Sequence, residues 1–127
     1  MDIPADTPLL LEMLAPFLHQ GKDGSGVGRG GIRLLAEKYG MSERAVMTEL
    51  LSRDIWPERF SRCRGVLSAG NLTTLLSTRI LVAGCGGLGG HVSALLARLG
   101  AGSLVLCDPD TFEESNLNRQ LFCTEKT

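Results

Sequence analysis

Apolar residues at the start of the chain recur at helical spacing and predict a helix over residues 7–18. Pro16 should bend or end this helix, because proline lacks the N–H that a helix interior needs. A glycine-dense stretch, GKDGSGVGRGG, follows at residues 21–31. Its backbone N–H groups would suit a phosphate loop, but no strand precedes the stretch and no Gly-Lys-Ser/Thr sequence closes it. Its composition therefore predicts a flexible linker.

Residues 32–53 predict two helices joined by a tight turn. Gly40 suits the end of the first helix, and Ser42 suits the cap of the second. The spacing of Ala36, Gly40 and Val46 is typical of a helix-turn-helix, in which a small residue, a glycine turn and a β-branched residue let the helices pack closely. A DNA-binding regulator is therefore one alternative function.

The charge of the second helix argues against DNA binding. Glu43 and Glu49 balance Arg44 and Arg53, so the helix carries no excess positive charge with which to neutralise phosphates. Its apolar residues are more simply explained as a packing face. Residues 1–55 are thus predicted to be a helical N-terminal extension that contains a helix-turn-helix-like hairpin.

A strand–helix–strand pattern occupies the second half of the chain. Residues 80–83 and 104–107 are short apolar runs, typical of parallel strands buried on both faces. The helix between them ends at Gly100 and has one apolar stripe, formed by Val92, Leu95, Leu96 and Leu99. The predicted fold class is α/β: the N-terminal part of a Rossmann-like doubly wound parallel sheet, preceded by a small all-helical segment.

Glycines follow the first of these strands at the spacing of a nucleotide turn. Gly84, Gly86 and Gly89 form G-x-G-x-x-G, in which successive glycines permit the turn, the approach of a phosphate and close helix–strand packing. Asp108 ends the second strand, 24 positions after Gly84, where a ribose-binding carboxylate is expected. This order predicts a nucleotide site without identifying the nucleotide. An NAD-type dinucleotide-binding module is therefore a second alternative.

Polar residues after Asp108 favour transfer chemistry at a phosphate. They are Asn116, Asn118, Arg119 and Gln120. Hydride transfer has no evident use for this arginine, whereas reaction at an α-phosphate concentrates negative charge that a guanidinium stabilises. Three further arginines, Arg59, Arg62 and Arg64, precede the first strand. They form either a solvated basic turn or a clamp for phosphate oxygens.

Composition excludes several classes of partner. The 127 residues are 43% hydrophobic and 21% charged, with a net charge of −1, so neither nucleic acid nor a membrane is expected as a partner. Without a membrane span or a basic leader, the chain is predicted to be cytoplasmic. Its four cysteines are too widely spaced for a zinc site, and Cys85 and Cys107 are predicted to be buried thiols.

Three strings together resemble the ThiF/MoeB/HesA family, bacterial relatives of the ubiquitin-activating enzymes. They are GCGGLGG at 84–90, DPD at 108–110 and ESNLNRQLF at 114–122. The sequence Arg-Phe-Ser-Arg at 59–62 also resembles the family's Arg-aromatic-x-Arg opening. The resemblance covers residues 56–127, whereas residues 1–55 match nothing in the basic family pattern. Such an appended helical segment is more ThiF-like than MoeB-like.

The resemblance implies an activity and a set of site residues. The family uses Mg-ATP to adenylate the C-terminal glycine of a small ubiquitin-like sulfur-carrier protein that ends in Gly-Gly, and it forms homodimers. The implied nucleotide-binding residues are Gly84, Gly86, Gly87, Gly89, Asp108, Asn116, Asn118 and Gln120. Two catalytic residues are implied as well. Arg119 would contact phosphates, and Arg62 would reach the active site of the partner subunit.

Other parts of the family pattern are not found in this sequence. The family's phosphate-binding lysine and magnesium-binding aspartate normally lie further along, and Lys126 is too close to Arg119 to be that lysine. No residue is assigned to a metal. Only two strands of a doubly wound sheet are visible, so we expect residues 56–127 to be the N-terminal fragment of an ATP-binding adenylation domain, weakly active at most alone. The sequence leaves open whether the pathway is thiamine thiazole or molybdopterin biosynthesis.

Overall fold

A computed structural model describes residues 3–22 and 24–127. Residue contacts divide the chain into two compact units, Met1–Thr74 and Leu75–Thr127. The boundary predicted after residue 55 is of another kind, because it marks where the resemblance to the family begins. That boundary stays a prediction. Residues 1, 2 and 23, which belong to the predicted extension and linker, lie outside the described residues.

The first unit alternates helices with very short strands. Its elements are α1 (Thr7–Leu14), a 3₁₀ turn (Ala15–Phe17), β1 (Leu18–Gly21), β2 (Gly24–Val27), α2 (Arg29–Tyr39), α3 (Glu43–Ser52), β3 (Trp56–Pro57) and a 3₁₀ helix (Glu58–Cys63). The predicted effect of Pro16 is confirmed, because α1 stops at Leu14 and Pro16 lies in the 3₁₀ turn.

The hairpin of α2 and α3 forms as predicted. Gly40 ends α2 with φ of 64°, a left-handed conformation that costs glycine little. The Oγ of Ser42 accepts the N–H of Ala45 at 3.1 Å and so caps α3. Apolar side chains from α1, β2, α2 and α3 form a core whose fully buried members include Leu10, Leu14, Val27, Leu35, Val46 and Leu50.

Two details predicted for the first unit are wrong. The helical segment is not all-helical, because β1, β2 and β3 form a three-stranded sheet in that order. Residues 21–31 are not a flexible linker, because they contain the end of β1, all of β2 and the start of α2. The physical reason is close packing: a Cβ at Gly26 would lie 2.9 Å from the Cα of Glu58, so glycine lets β2 lie against the 58–63 helix.

The second unit contains the predicted strand–helix–strand arrangement. Its elements are β4 (Arg79–Ala83), α5 (Gly87–Leu99), β5 (Ser103–Cys107) and a 3₁₀ helix (Glu114–Asn116); α4 (Ala69–Ser77) spans the boundary between the units. β4 and β5 pair in parallel, with Ile80 opposite Leu104 and Val82 opposite Leu106. The α/β class, with a partial Rossmann-like sheet after a helical segment, is confirmed. None of the helices described is long and apolar enough to cross a membrane.

Only one face of this two-stranded sheet is covered by α5. Val82 lies under the helix, 3.8 Å from where a Cβ of Gly89 would be. Alternate residues point to the opposite face, where Leu81 is 66% exposed and Val105 is 36% exposed. The predicted apolar stripe of α5 is partly exposed too, with Leu95 at 66%. One helix cannot cover both faces of a sheet, so one of the two apolar faces that the sequence predicts is left without cover, as expected from only two visible strands.

Contact between α5 and β4 depends on the absence of a side chain at Gly89. A Cβ built there would lie 1.7 Å from the carbonyl oxygen of Gly84 and 2.7 Å from its carbon. Gly84 has φ of 87°, a left-handed conformation that L-residues with side chains rarely adopt. The two glycines therefore allow the chain to leave β4, turn sharply and start α5 directly above the strand end.

Gly89→Ala should lower the free energy of unfolding by about 3 kcal/mol or more, because the added methyl overlaps backbone atoms that cannot move aside separately. Gly87→Ala is the matched control: its Cβ would meet its nearest atoms at 3.7 Å, an ordinary contact, so a change below about 0.5 kcal/mol is expected. Chemical denaturation of both variants measures this difference. Equal midpoints would show that the close approach does not constrain the fold.

Candidate nucleotide-binding site

The glycine turn places backbone donors at the carboxyl end of the parallel sheet. The N–H of Gly84 donates to the carbonyl of Cys107 at 2.8 Å, which extends the β4–β5 ladder by one bond. Gly86 caps α5, and the helix starts at Gly87. The first N–H groups of a helix have no partner within it, and they carry the positive end of the helix dipole. This end of α5 is therefore suited to an anion such as a phosphate.

Asp108 ties the end of β5 to the same turn. One carboxylate oxygen accepts the N–H of Asp110 at 2.9 Å, and the other accepts the N–H of Cys85. Both hydrogen bonds stabilise the ionised carboxylate and so lower the pKa of Asp108 below its ordinary value. The bond from the N–H of Asp110 has the larger effect, and the bond from the N–H of Cys85 the smaller one. The carboxylate is exposed and ionised at the edge of the turn, where it can accept hydrogen bonds from sugar hydroxyls.

The segment after β5 is shaped by a reciprocal cap at the 114–116 helix. The backbone carbonyl of Glu113 accepts the N–H of Asn116 at 2.8 Å, and the Oδ1 of Asn116 accepts the N–H of Glu113 at 2.9 Å. Asn116 is only 8% exposed. Sequence reasoning missed Glu113, because glutamate is not among the residues that favour a helix N-cap.

Arg119 and Gln120 lie beside the glycine turn. A Cβ at Gly86 would be 3.6 Å from the side-chain nitrogen of Gln120, and one at Gly87 would be 3.7 Å from the carbonyl oxygen of Arg119. The guanidinium of Arg119 donates through Nη1 to the carbonyl of Ser115 at 2.7 Å and to Asn118 at 3.2 Å. Since a guanidinium has five N–H donors, Arg119 retains donors for an anion.

Nine of the ten predicted site residues thus belong to the second unit, and Arg62 belongs to the first. Within the second unit, Asp108, Arg119 and Gln120 are brought to the glycine turn. Asn116 is buried behind them, and Asn118 is an exposed neighbour of Arg119. The nucleotide-binding and catalytic roles of all ten residues stay predictions.

The three arginines before the sheet do not form one clamp. Arg62 is exposed and lines a polar cavity of about 300 Å³, whereas Arg59 lines a separate cavity of about 370 Å³. Arg64 donates through Nη2 to the carbonyl of Ser25 at 2.9 Å and lies over the ring of Trp56 at 5.2 Å. Arg64 therefore has a structural role.

The donor set fits a nucleoside phosphate. Helix N–H groups and an ionised carboxylate lie at the same turn, and the backbone of Arg119 passes beside it, a set of groups that matches a phosphate next to a sugar. Among residues 3–22 and 24–127 no group of three or more His, Cys, Asp or Glu side chains is placed to hold a metal. The predicted burial of Cys107 is wrong: it is exposed, because it lies on the same face of the sheet as Val105, which α5 does not cover.

Fold and site together define a parallel strand–helix–strand unit with a glycine turn, and Asp108, Arg119 and Gln120 lie beside that turn. The sequence model of the ThiF family matches residues 60–127, which is more than half of the chain. The chain therefore belongs to the ThiF family.

Three relatives illustrate the range of this family. SAMP-activating enzyme E1 of Haloferax volcanii is 51% identical over 47 residues, which are 37% of this chain and 17% of that protein. Sulfur carrier protein ThiS adenylyltransferase of Escherichia coli is 50% identical over 52 residues, or 40% and 21% of the two chains. tRNA threonylcarbamoyladenosine dehydratase of Bacillus subtilis is 38% identical over 63 residues, or 50% and 25%.

The matched stretches therefore span 17 to 25% of the length of these relatives. No solved structure matches the chain.

Asp108→Asn should destabilise the protein at neutral pH but not in acid. A lowered pKa means that the carboxylate stabilises the fold above its ordinary pKa of 3.8 and loses this effect as the pH falls through its folded value. The two N–H groups reach different carboxylate oxygens, and an amide has an NH₂ donor in place of one of them, so one of the two bonds is lost. Urea unfolding of both proteins at several pH values between 7 and 3 measures the difference.

Asp110→Asn is the matched control, because Asp110 contributes only its backbone N–H to this hydrogen bond and the substitution keeps that group. Its stability should therefore follow that of the wild type. A stability difference between wild type and Asp108→Asn that stays constant down to pH 3 would contradict a role for the ionised carboxylate.

Proposed function

We propose that this chain contributes the nucleotide-binding part of a ThiF-type adenylyltransferase. The substrates are ATP and the C-terminal glycine carboxylate of a small ubiquitin-like sulfur-carrier protein ending in Gly-Gly. The supporting observation is the convergence of Asp108, Arg119 and Gln120 on the glycine turn. The carrier belongs to thiamine thiazole or molybdopterin biosynthesis, as the sequence resemblance implies.

Two of the three relatives support a protein substrate. By name, one activates SAMP and the other adenylylates the sulfur carrier ThiS. Both share their identity with this chain over about 50 residues, a stretch long enough to hold the glycine turn and Asp108 together. One name states activation and the other adenylylation, and adenylylation is one way to activate a carboxylate.

The proposed reaction needs charge stabilisation more than proton transfer. An oxygen of the carrier's carboxylate attacks the α-phosphorus of ATP, the bond from this phosphorus to the bridging oxygen breaks, and pyrophosphate leaves. Negative charge grows on the phosphate oxygens as that bond breaks. Arg119 and the N–H groups at the start of α5 stabilise this charge. Asp108 orients the ribose by accepting hydrogen bonds from its hydroxyl groups.

Arg62 supplies a second cation in this proposal. It acts on the phosphates bound by the partner subunit of a homodimer, as the resemblance implies. Gln120 shapes the pocket beside Gly86, and Asn118 positions the guanidinium of Arg119. No described residue is assigned to magnesium.

A second candidate follows from the relative that covers the largest share of this chain. The Bacillus subtilis dehydratase matches 50% of it, against 37% and 40% for the other two relatives. Its named substrate, threonylcarbamoyladenosine in tRNA, carries a carboxyl group that the same ATP chemistry would activate. The two candidates differ in whether the carboxylate belongs to a protein or to an RNA.

Exchange of labelled pyrophosphate into ATP separates these candidates. We expect exchange that depends on a carrier protein ending in Gly-Gly and that falls about 100-fold or more in Arg119→Ala, because a donor to the developing charge is lost. Arg98→Ala is the matched control, since Arg98 is exposed in the last turn of α5, away from its N-terminus.

Exchange that requires tRNA instead of the carrier would support the second candidate. Full exchange by Arg119→Ala would refute the phosphate role of Arg119. A rise in melting temperature with NAD but not with ATP would contradict both candidates, since each requires ATP to bind the folded protein.

A further inference from the structure

We infer that the glycine-rich hairpin of β1 and β2 is a positioning device for Arg62. The hairpin holds the 58–63 helix at both ends and leaves this arginine on its surface. The catalytic importance of Arg62 rests on the proposed function, whereas the hold on its helix is read from contacts within the first unit. The family model begins at residue 60, so it includes Arg62 but not the hairpin.

The start of the helix is fixed by contact between two backbones. A Cβ at Gly26 would lie 2.9 Å from the Cα of Glu58 and 3.3 Å from its nitrogen. Gly26 also pairs with Trp56 in the parallel register of β2 and β3. A side chain at position 26 would push the helix away from the sheet, because real Cβ atoms do not approach backbone this closely.

The far end of the helix is fixed by Arg64. Its Nη2 donates to the carbonyl of Ser25 at 2.9 Å, and its guanidinium lies 5.2 Å from the centre of the Trp56 ring. Trp56 is itself only 4% exposed and donates to Asp54 at 2.8 Å. A Cβ at Gly24 would overlap Arg64, 2.1 Å from its Nη1, so this glycine makes room for the guanidinium.

Two further contacts hold the helix between these ends. Phe60 is 3% exposed and anchors the helix in the core of the first unit. The imidazole of His19, on β1, lies 3.5 Å from the carboxylate of Glu58. Arg62 remains exposed and lines a cavity with residues of the hairpin, including Gly24 and Gly26.

A short 3₁₀ helix needs such support. Its hydrogen bonds have poorer geometry than those of an α-helix, so six residues keep this shape mainly through tertiary contacts. In the proposed function the guanidinium of Arg62 acts at the end of an extended side chain, so a small shift of its backbone moves it away from the phosphates. A displacement of about 1 Å at a catalytic group can lower the rate on the order of 100-fold. The fixed backbone under Arg62 limits that displacement.

Gly26→Ala tests the inference against Gly65→Ala, whose Cβ would meet nothing within 4 Å. In the full protein we expect Gly26→Ala to lower kcat for pyrophosphate exchange about 10-fold, with KM for ATP little changed, and Gly65→Ala to match wild type. In a background of Arg62→Ala, Gly26→Ala should cause no further loss of kcat, because both changes remove the same contribution, that of a correctly placed Arg62. Additive losses would overturn the positioning role.

Limited trypsin digestion gives a readout that does not need activity. Cleavage after Arg59 and Arg62 should be several-fold faster in Gly26→Ala than in Gly65→Ala, because the helix opens locally more often. Equal cleavage rates would overturn the inference. If Gly26→Ala fails to fold, Arg64→Met replaces it, with the same expectations, since it removes the guanidinium and keeps most of the apolar length.

The same two assays separate this inference from the proposed function. Absence of exchange in wild type, or full exchange in Arg62→Ala, would refute the proposed activity or the role of Arg62. The digestion result would still support or overturn the hold of the hairpin on the 58–63 helix.

Discussion

The carbonyl oxygen of Gly84 lies where a side chain at position 89 would have to be, and the second unit depends on this contact. It fixes the start of α5 above the end of β4, so the N–H groups of the helix and the end of β5 meet at one edge. Asp108 then reaches the N–H of Cys85 across that edge. Without the close approach, the carboxylate and the helix N-terminus would not lie at one turn.

The first unit uses the same constraint for a different purpose. Gly26 brings β2 close to Glu58, and the result is a supported 58–63 helix. A Cβ at Gly26 would lie 2.9 Å from Glu58, less close than the 1.7 Å between a Cβ at Gly89 and Gly84. Glycine density alone therefore does not separate flexibility, ligand binding and close packing. Flanking elements separate them: one glycine group lies between a strand and a helix in the order of a nucleotide fold, and the other does not.

Periodicity and end signals predicted the elements that have them. The αα hairpin, its cap at Ser42 and the strand–helix–strand order were all predicted, as was the place of Asp108. The small sheet was not, because β3 has two residues and β2 has two glycines among four, so neither shows an alternating pattern. The exposure of Cys107 was not predicted either, since it depends on whether another element packs on that face of β5 and not on local sequence.

Asn116 shows how a motif residue can serve the site without touching a ligand. The family resemblance gives it a phosphate contact, which stays a prediction. Its side chain caps the 114–116 helix, and its backbone carbonyl accepts the N–H groups of Arg119 at 3.1 Å and of Gln120 at 2.9 Å. Those bonds fix the two residues that lie beside the glycine turn. The motif thus encodes a loop conformation as well as a charge, because the bonds of Asn116 hold the backbone from which the guanidinium of Arg119 extends.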